Sequence, residues 1–314
     1  MHRVVTFTPN PALDVSTATN QMVAEIKMRC AEPIREPGGG GVNVSRVMKR
    51  LGYESLALYT SGGVTGDLFQ QLVKEEQIND YVYLVSANTR ENIMITDNST
   101  NDLYRFIMAG GALLEKEWKE LIRMVDDFDS IEYLVASGSL PPGVPDDFYA
   151  RLSHRASERG IRFVLDTSGQ PLKRIKEAGA FLLKPNNNEL SELVECNLEC
   201  KEDYIEAGRQ VIEQYDVINL VVSMGAEGAI LITKDQVEVL PALQVEKRST
   251  VGAGDSMVAG IVTRLLEGWD IREAVMYGQA CGSAAIMTPG SGLARKQDAD
   301  HLFKILQDRF GKFA

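Results

Sequence analysis

The stretch FVLDTSGQPLKRIKEAGAFLLKPN, residues 163–186, decides the architecture. It opens on a short apolar run, turns at Asp-Thr-Ser-Gly, crosses a charged segment of helical period, and enters a second apolar run that stops at Lys184-Pro-Asn186. Short apolar runs bounded by turn residues read as buried strands, and the amphipathic segment between two of them reads as a crossover helix. The same rhythm extends outward in both directions, through VVTFT (4–8), SLALYTS (55–61) and YLVASGS (133–139) on one side and NLVVSMG (219–225) on the other. The expected fold is an α/β sheet, mainly parallel and flanked by helices on both faces. Several runs end in small or polar residues, and the carboxyl edge of such a sheet is where ligands bind.

Two stretches interrupt the rhythm. Asp14 to Arg35 carries alternating β-branched segments, and Glu91 to Met108 reads as a hairpin around DNSTND, with no helix pattern in either. The division that follows is a core of residues 1–12, 36–88 and 109–314, with a small β-sheet inserted as 13–35 and 89–108. Spacing alone leaves open whether that insert is a surface ribbon or a lid that excludes water.

Composition narrows the function. A net charge of −11 argues against a nucleic-acid surface and requires a local basic cluster wherever an anionic substrate is held. No run reaches the roughly 20 apolar residues of a membrane span, and no signal-peptide pattern opens the chain, so the expected location is cytoplasmic. The cysteines lack paired CxxC spacing, which argues against zinc and against a disulfide framework. With only three histidines, none beside a candidate nucleophile, a general base is sought among carboxylates.

Several motifs supply that chemistry. In Ser249-Thr-Val-Gly-Ala-Gly-Asp255, glycines precede an apolar helix whose first turn holds Asp255; bare amides and the helix N-terminus suit an anion, although an aspartate there also reads as an N-cap. In Glu36-Pro-Gly-Gly39-Gly-Gly-Val-Asn43, four glycines lead into another helix, either as a connector or, the favoured reading, as a loop that a sugar approaches closely. Lys184-Pro-Asn186-Asn-Asn-Glu189 can orient a phosphate and, through water, a magnesium ion; it can also be a helix cap. Ser223-Met-Gly225-Ala-Glu227-Gly228 is a tight turn that either closes a hairpin or carries nucleotide phosphates. Ser137-Gly-Ser139 offers hydroxyls at the same edge. GxxxxGK[ST] and GxGxxG after the first strand are both missing, so the P-loop and dinucleotide readings lack their core feature.

Taken in order with Asn10-Pro-Ala-Leu-Asp14 and Ser-Gly-Ser-Leu-Pro-Pro-Gly, these motifs resemble the pfkB family of ribokinase-like carbohydrate kinases across nearly the whole chain. Glu-Pro-Gly-Gly-Gly-Gly and Ser-Thr-Val-Gly-Ala-Gly-Asp-Ser-Met-Val are most similar to its 6-phosphofructokinase members, Gly40 standing where 1-phosphofructokinases and tagatose-6-phosphate kinases usually carry lysine. The resemblance implies ATP-dependent phosphorylation of fructose 6-phosphate at its C1 hydroxyl, with a tagatose-6-phosphate kinase or a 1-phosphofructokinase as the alternatives within the family. Asp255 would be the base, with the amides of Gly252, Ala253, Gly254 and Asp255 as the anion hole. Asp14, Gly39 and Asn43 would hold the sugar, and Lys27, Arg29, Arg90 and Ser139 its phosphate. Lys184, Asn186, Ser223, Gly225, Glu227 and Gly228 would lie on the ATP side, Glu189 near Mg2+, and a K+ site near Ser249 and Val251. It also implies a homodimer joined through the inserted sheets. A sugar-phosphate-binding regulator without catalysis is the non-enzyme alternative.

Overall fold

The computed structural model describes residues 2–288, 290 and 292–310. Nine strands form one sheet in the spatial order Val237–Leu240 (β13), Ala229–Thr233 (β12), Val217–Ser223 (β11), Ala180–Leu183 (β10), Arg162–Asp166 (β9), Tyr133–Ser137 (β8), Val4–Thr8 (β1), Leu56–Ser61 (β4) and Asn79–Leu84 (β5). From β11 to β5 every pairing is parallel, while β12 and β13 run antiparallel. The exception has a local cause: Ser223-Met-Gly-Ala-Glu-Gly228 is too short for a parallel crossover, and Gly225 (φ 56°) and Gly228 (φ 103°) take the positive angles a tight reversal needs. That turn closes a hairpin.

Strand alternation sends successive side chains into different helical layers. Tyr133 and Val135 of β8 join one core with Val258, Ile261 and Ala280, while Leu134 and Ala136 join the other with Phe148 and Leu152. Within the first layer the helices Ala253–Leu266 and Ile271–Ile286 pack so closely that a Cβ on Gly260 would lie 2.9 Å from the Gly278 Cα. Small residues at that crossing let the backbones touch, which fixes the helix whose first turn holds Asp255.

A separate four-stranded sheet has the order Ile34–Gly38 (β3), Ala12–Thr19 (β2), Arg90–Asp97 (β6) and Leu103–Ile107 (β7). β6 and β7 form the expected hairpin, and β2 runs parallel to β6 from Ala12↔Arg90 to Thr19↔Asp97. The sheet departs from expectation between its first two strands: β2 begins at Ala12, β3 ends at Gly38, and residues 20–33 are irregular apart from a Thr19–Cys30 bridge. Pro33 cannot donate to a ladder and Glu25 takes a left-handed φ of 66°, so this run cannot continue the pairing. No helix among the described residues is long and apolar enough to cross a membrane.

Candidate active site

The glycine run is tightly enclosed. A Cβ on Gly38 would sit 2.1 Å from Asp14 Oδ2, one on Gly40 2.0 Å from Ser137 Oγ, and one on Gly41 2.7 Å from the Phe7 carbonyl, while Gly39 holds φ 107°. Only glycine lets this loop pass between β1, β2 and β8. It delivers the helix Gly40–Leu51 with Asn43 in its first turns. Across from it, Gly252 (φ 73°) starts Ala253–Leu266 and puts Asp255 in that helix's first turn.

These two helix starts converge on one carboxylate. Asn43 Nδ2 donates to Asp255 Oδ2 at 2.9 Å, and Ser137 Oγ donates to Oδ1 at 3.3 Å. Burial, followed by the negative charge of Asp166, pushes the Asp255 pKa up to about 6, opposed by Asn43, Lys184 and Ser137. A carboxylate raised so far is ionised at neutral pH and is a better proton acceptor than an ordinary aspartate. Asn43 is itself held, because Arg46 Nη1 donates to its Oδ1 at 3.2 Å and to the Pro37 carbonyl at 2.9 Å. Arg46 is buried, paired with Glu36 and Glu76.

Lys184 is buried beside Asp166, with Nζ 3.2 Å from Oδ1. Burial would lower its pKa, but the charges of Asp166, Glu189 and Asp255 raise it above its ordinary value, so the ammonium stays charged. A Cβ on Gly254 would lie 3.3 Å from Lys184 Nζ, which places that cation against the start of the Asp255 helix. Asn186 caps Asn187–Val194: its Oδ1 accepts from the Glu189 amide, and Glu189 Oε2 accepts from the Asn186 amide at 2.8 Å. Burial leads the causes that raise the Glu189 carboxyl, with Asp166 adding to it. Carboxylate oxygens of this kind beside a lysine fit a hydrated magnesium ion, which keeps much of its own water.

Two cavities adjoin the elements that carry these residues. One, of about 700 Å3, is lined by Asn186, Ser223, Gly225, Gly228, Ala253 and Gly254 among others, a size that suits a nucleotide. The other, of about 550 Å3, is lined by Arg90, Ser139, Met108 and Gln170 among others, where the small sheet meets the core. Arg90 donates to the carbonyls of Met108 (2.8 Å) and Asn10 (3.1 Å) while its buried Nε has no partner; Asn10 Nδ2 in turn reaches Ser139 Oγ at 3.3 Å. Burial lowers the Arg90 pKa, and Asp14 opposes it. Asp14 is buried, its Oδ1 accepting from Asn92 at 2.9 Å, and burial raises its pKa.

Other sequence candidates lie elsewhere. Lys27 and Arg29 are exposed on the irregular 20–33 segment and line neither cavity, because that segment lacks the ladder that would carry them inward. Glu227 is exposed at the hairpin tip and lines neither. Ser249 Oγ donates to the Gly290 carbonyl at 2.5 Å and accepts from the Val251 amide at 3.2 Å, a turn that closes the loop before Gly252. Sequence reasoning missed Arg46, Asn92, Asp166 and Gln279. Asp166 alone carried a signal, as a carboxylate ending an apolar strand at the binding edge.

Comparison with known proteins follows the same outline. A family model described as pfkB family carbohydrate kinase matches residues 12–298. The chain is 37% identical over 308 residues to the ATP-dependent 6-phosphofructokinase isozyme 2 of Escherichia coli K12, covering 98% of this chain and 99% of that protein. It superposes with a TM-score of 0.92 on the crystal structure of Escherichia coli phosphofructokinase-2 in complex with fructose-6-phosphate, at 35% identity, covering 98% of this chain and 100% of that one. With the same enzyme in complex with potassium the TM-score is 0.94 at 36% identity, with the same coverage of both chains.

Proposed function

The chain belongs to the pfkB family of carbohydrate kinases, and from that premise we propose that it transfers the γ-phosphoryl group of ATP to the C1 hydroxyl of fructose 6-phosphate. The products are fructose 1,6-bisphosphate and ADP. The observation that carries this reading is the buried Asp255 carboxylate, held by Asn43 and Ser137 in the first turn of a helix whose Ala253 and Gly254 line a nucleotide-sized cavity.

In the proposed mechanism Asp255 accepts the C1 hydroxyl proton as the oxygen attacks the γ-phosphorus and the bond to the ADP oxygen breaks. Asn43 and Ser137 fix the carboxylate, and Arg46 fixes Asn43. The amides of Gly252 to Asp255, with the helix N-terminus behind them, offset charge on the transferring group, as does the Lys184 ammonium. Glu189 and Asp166 would hold the waters of a magnesium ion, which would supply charge neutralisation at the transferring phosphates. Asp14, Gly39 and Asn43 position the sugar ring, and Arg90 and Ser139 take its phosphate. The backbone around Ser249 and Val251 is the proposed K+ site, supported by the potassium complex of the related enzyme. Three exposed unpaired cysteines, Cys30, Cys196 and Cys200, suit a reducing compartment, so the cytosol is the proposed location.

A homodimer is the proposed assembly, supported by the register of the small sheet. Val15 lies beside Ile93 and Ile93 opposite Phe106, and Thr17 lies beside Ile95 and Ile95 opposite Tyr104, which puts these side chains on the face turned away from Asp14 and Asn92. Tyr104 and Phe106 are exposed there. A second copy of the same face is the proposed cover.

The test is a coupled kinase assay across fructose 6-phosphate, tagatose 6-phosphate, fructose 1-phosphate, fructose and ribose. Fructose 6-phosphate should show the highest kcat/KM. Equal use of the unphosphorylated sugars would overturn the sugar-phosphate assignment, and preference for tagatose 6-phosphate would overturn the choice of sugar.

A further inference from the structure

Gln279, on the helix Ile271–Ile286, lines the nucleotide-sized cavity and is only 6% exposed. Its amide nitrogen donates to the Pro241 carbonyl at 2.5 Å, and its Oε1 is buried without a hydrogen-bond partner. Pro241 dictates which way the amide points. A carbonyl can only accept, so reversing the amide would set two oxygens against each other. Gln279 therefore keeps a fixed acceptor at the cavity wall, and a buried acceptor without a donor is unfavourable until a ligand provides one.

Its place along the helix says which part of a nucleotide would reach it. Gly282 packs against Ala253 at the start of the Asp255 helix, where a Cβ would lie 3.2 Å from the Ala253 carbonyl. Gln279 is about one turn further from that anion-binding end. The same cavity is lined by apolar Leu243, Val245 and Met257, together with polar Gln244 and Ser283. A partly apolar wall with an acceptor fixed in orientation, set away from the phosphate end, is suited to a flat heterocycle carrying an N–H donor.

We infer that Gln279 Oε1 reads the base of the phosphoryl donor, accepting a hydrogen bond from an amino group on a purine, which makes the 6-amino group of adenine the recognised feature. A 6-oxo purine would present a second acceptor to Gln279 and be disfavoured. This rests on the kinase reading above, with ATP as donor.

The experiment compares ATP with purine riboside triphosphate, which differs by loss of the 6-amino group, at saturating fructose 6-phosphate. Turnover is read through the sugar product so that the coupling enzymes never meet the nucleotide. The wild-type enzyme should use the analogue with kcat/KM lower by about fivefold or more, mainly through KM, the scale of one buried hydrogen bond. In Gln279→Met, which keeps length and removes the acceptor, the two nucleotides should come within about twofold of each other. A merely structural lesion would slow both nucleotides alike and leave their ratio untouched. Equal use of the two by the wild type overturns the inference without any variant, and so does an unchanged ratio in Gln279→Met or, should that variant not fold, in Gln279→Val. No turnover with any nucleotide and sugar phosphate would instead sink the kinase reading, and this inference with it.

Discussion

The two sheets meet water differently. β8 of the nine-stranded sheet is buried along its whole length, with helices on both sides, whereas β7 of the four-stranded sheet is exposed along its whole length. The buried sheet ends in Ser137, Asp166 and Lys184 and faces Asp255, so desolvation acts on Lys184 and Asp255 there. The smaller sheet contributes Arg90 and Asp14 and turns an apolar face outward. What differs is the kind of work each can do: a dry, rigid edge can tune a proton acceptor, and a half-bare sheet can recognise a substrate and a partner at once.

Substitutions can break that division. The largest effect is expected from Asp255→Asn, which keeps the shape and removes the base: kcat should fall by at least about 10²-fold with both KM values little changed. Near-normal kcat would remove Asp255 from the chemistry. The same variant has a stability signature. Folding raises this carboxyl from 3.8 to about 6, so its stabilising effect is complete below pH 4 and is lost as pH rises through about 6. Asp255→Asn should therefore stabilise the protein by roughly 1–3 kcal/mol at pH 8, and by progressively less toward pH 4, in chemical denaturation.

Arg90→Ala, on the smaller sheet, should raise the fructose 6-phosphate KM about tenfold or more and leave the ATP KM nearly alone, as loss of a charge-assisted phosphate contact would. A matching fall in kcat would erase the distinction between the sheets. Phe106→Asp should shift the protein from dimer to monomer in sedimentation, with a smaller rise in the sugar-phosphate KM. Ile218→Asp, at a position still more exposed but on the nine-stranded sheet, should leave assembly intact. If both or neither dissociate, the outward face of the small sheet has no special role. The smallest effect is on pH dependence: kcat/KM should fall on the acid side with an apparent pKa of about 6, and Asp166→Asn should move that limb to lower pH by removing a negative charge that raises Asp255. A limb that stays put would detach Asp166 from the base.

What could be read from the sequence follows from how local each feature is. Strand ends, glycine turns and the first turn of a helix are set within a few residues, so β8 to β11, the loop before Asn43 and the position of Asp255 were all legible in the chain. Lys27 and Arg29 were named through the family resemblance, and in the single chain they stand exposed on the irregular 20–33 segment. Arg46 and Gln279 sit inside helices with nothing around them to distinguish them from surface residues. Their burial comes from Glu36 and Glu76 in one case and from Pro241 in the other, contacts that only the tertiary fold creates.

The parallel ladder of β2 on β6 also sets an order of events in folding. Between Ala12 and Arg90 the chain includes the helix Gly40–Leu51, β4, the helix Gly63–Glu75 and β5, all parts of the core. Closing so long a loop is entropically costly before other contacts hold its ends together, and the ladder gains little from burial on its outer face. The small sheet therefore forms last and opens first, and its amides should exchange with solvent well ahead of those in β1 and β8. A chain built this way completes the cavity lined by Arg90 and Ser139 only when the small sheet closes on the core, so that cavity depends on a core already in place.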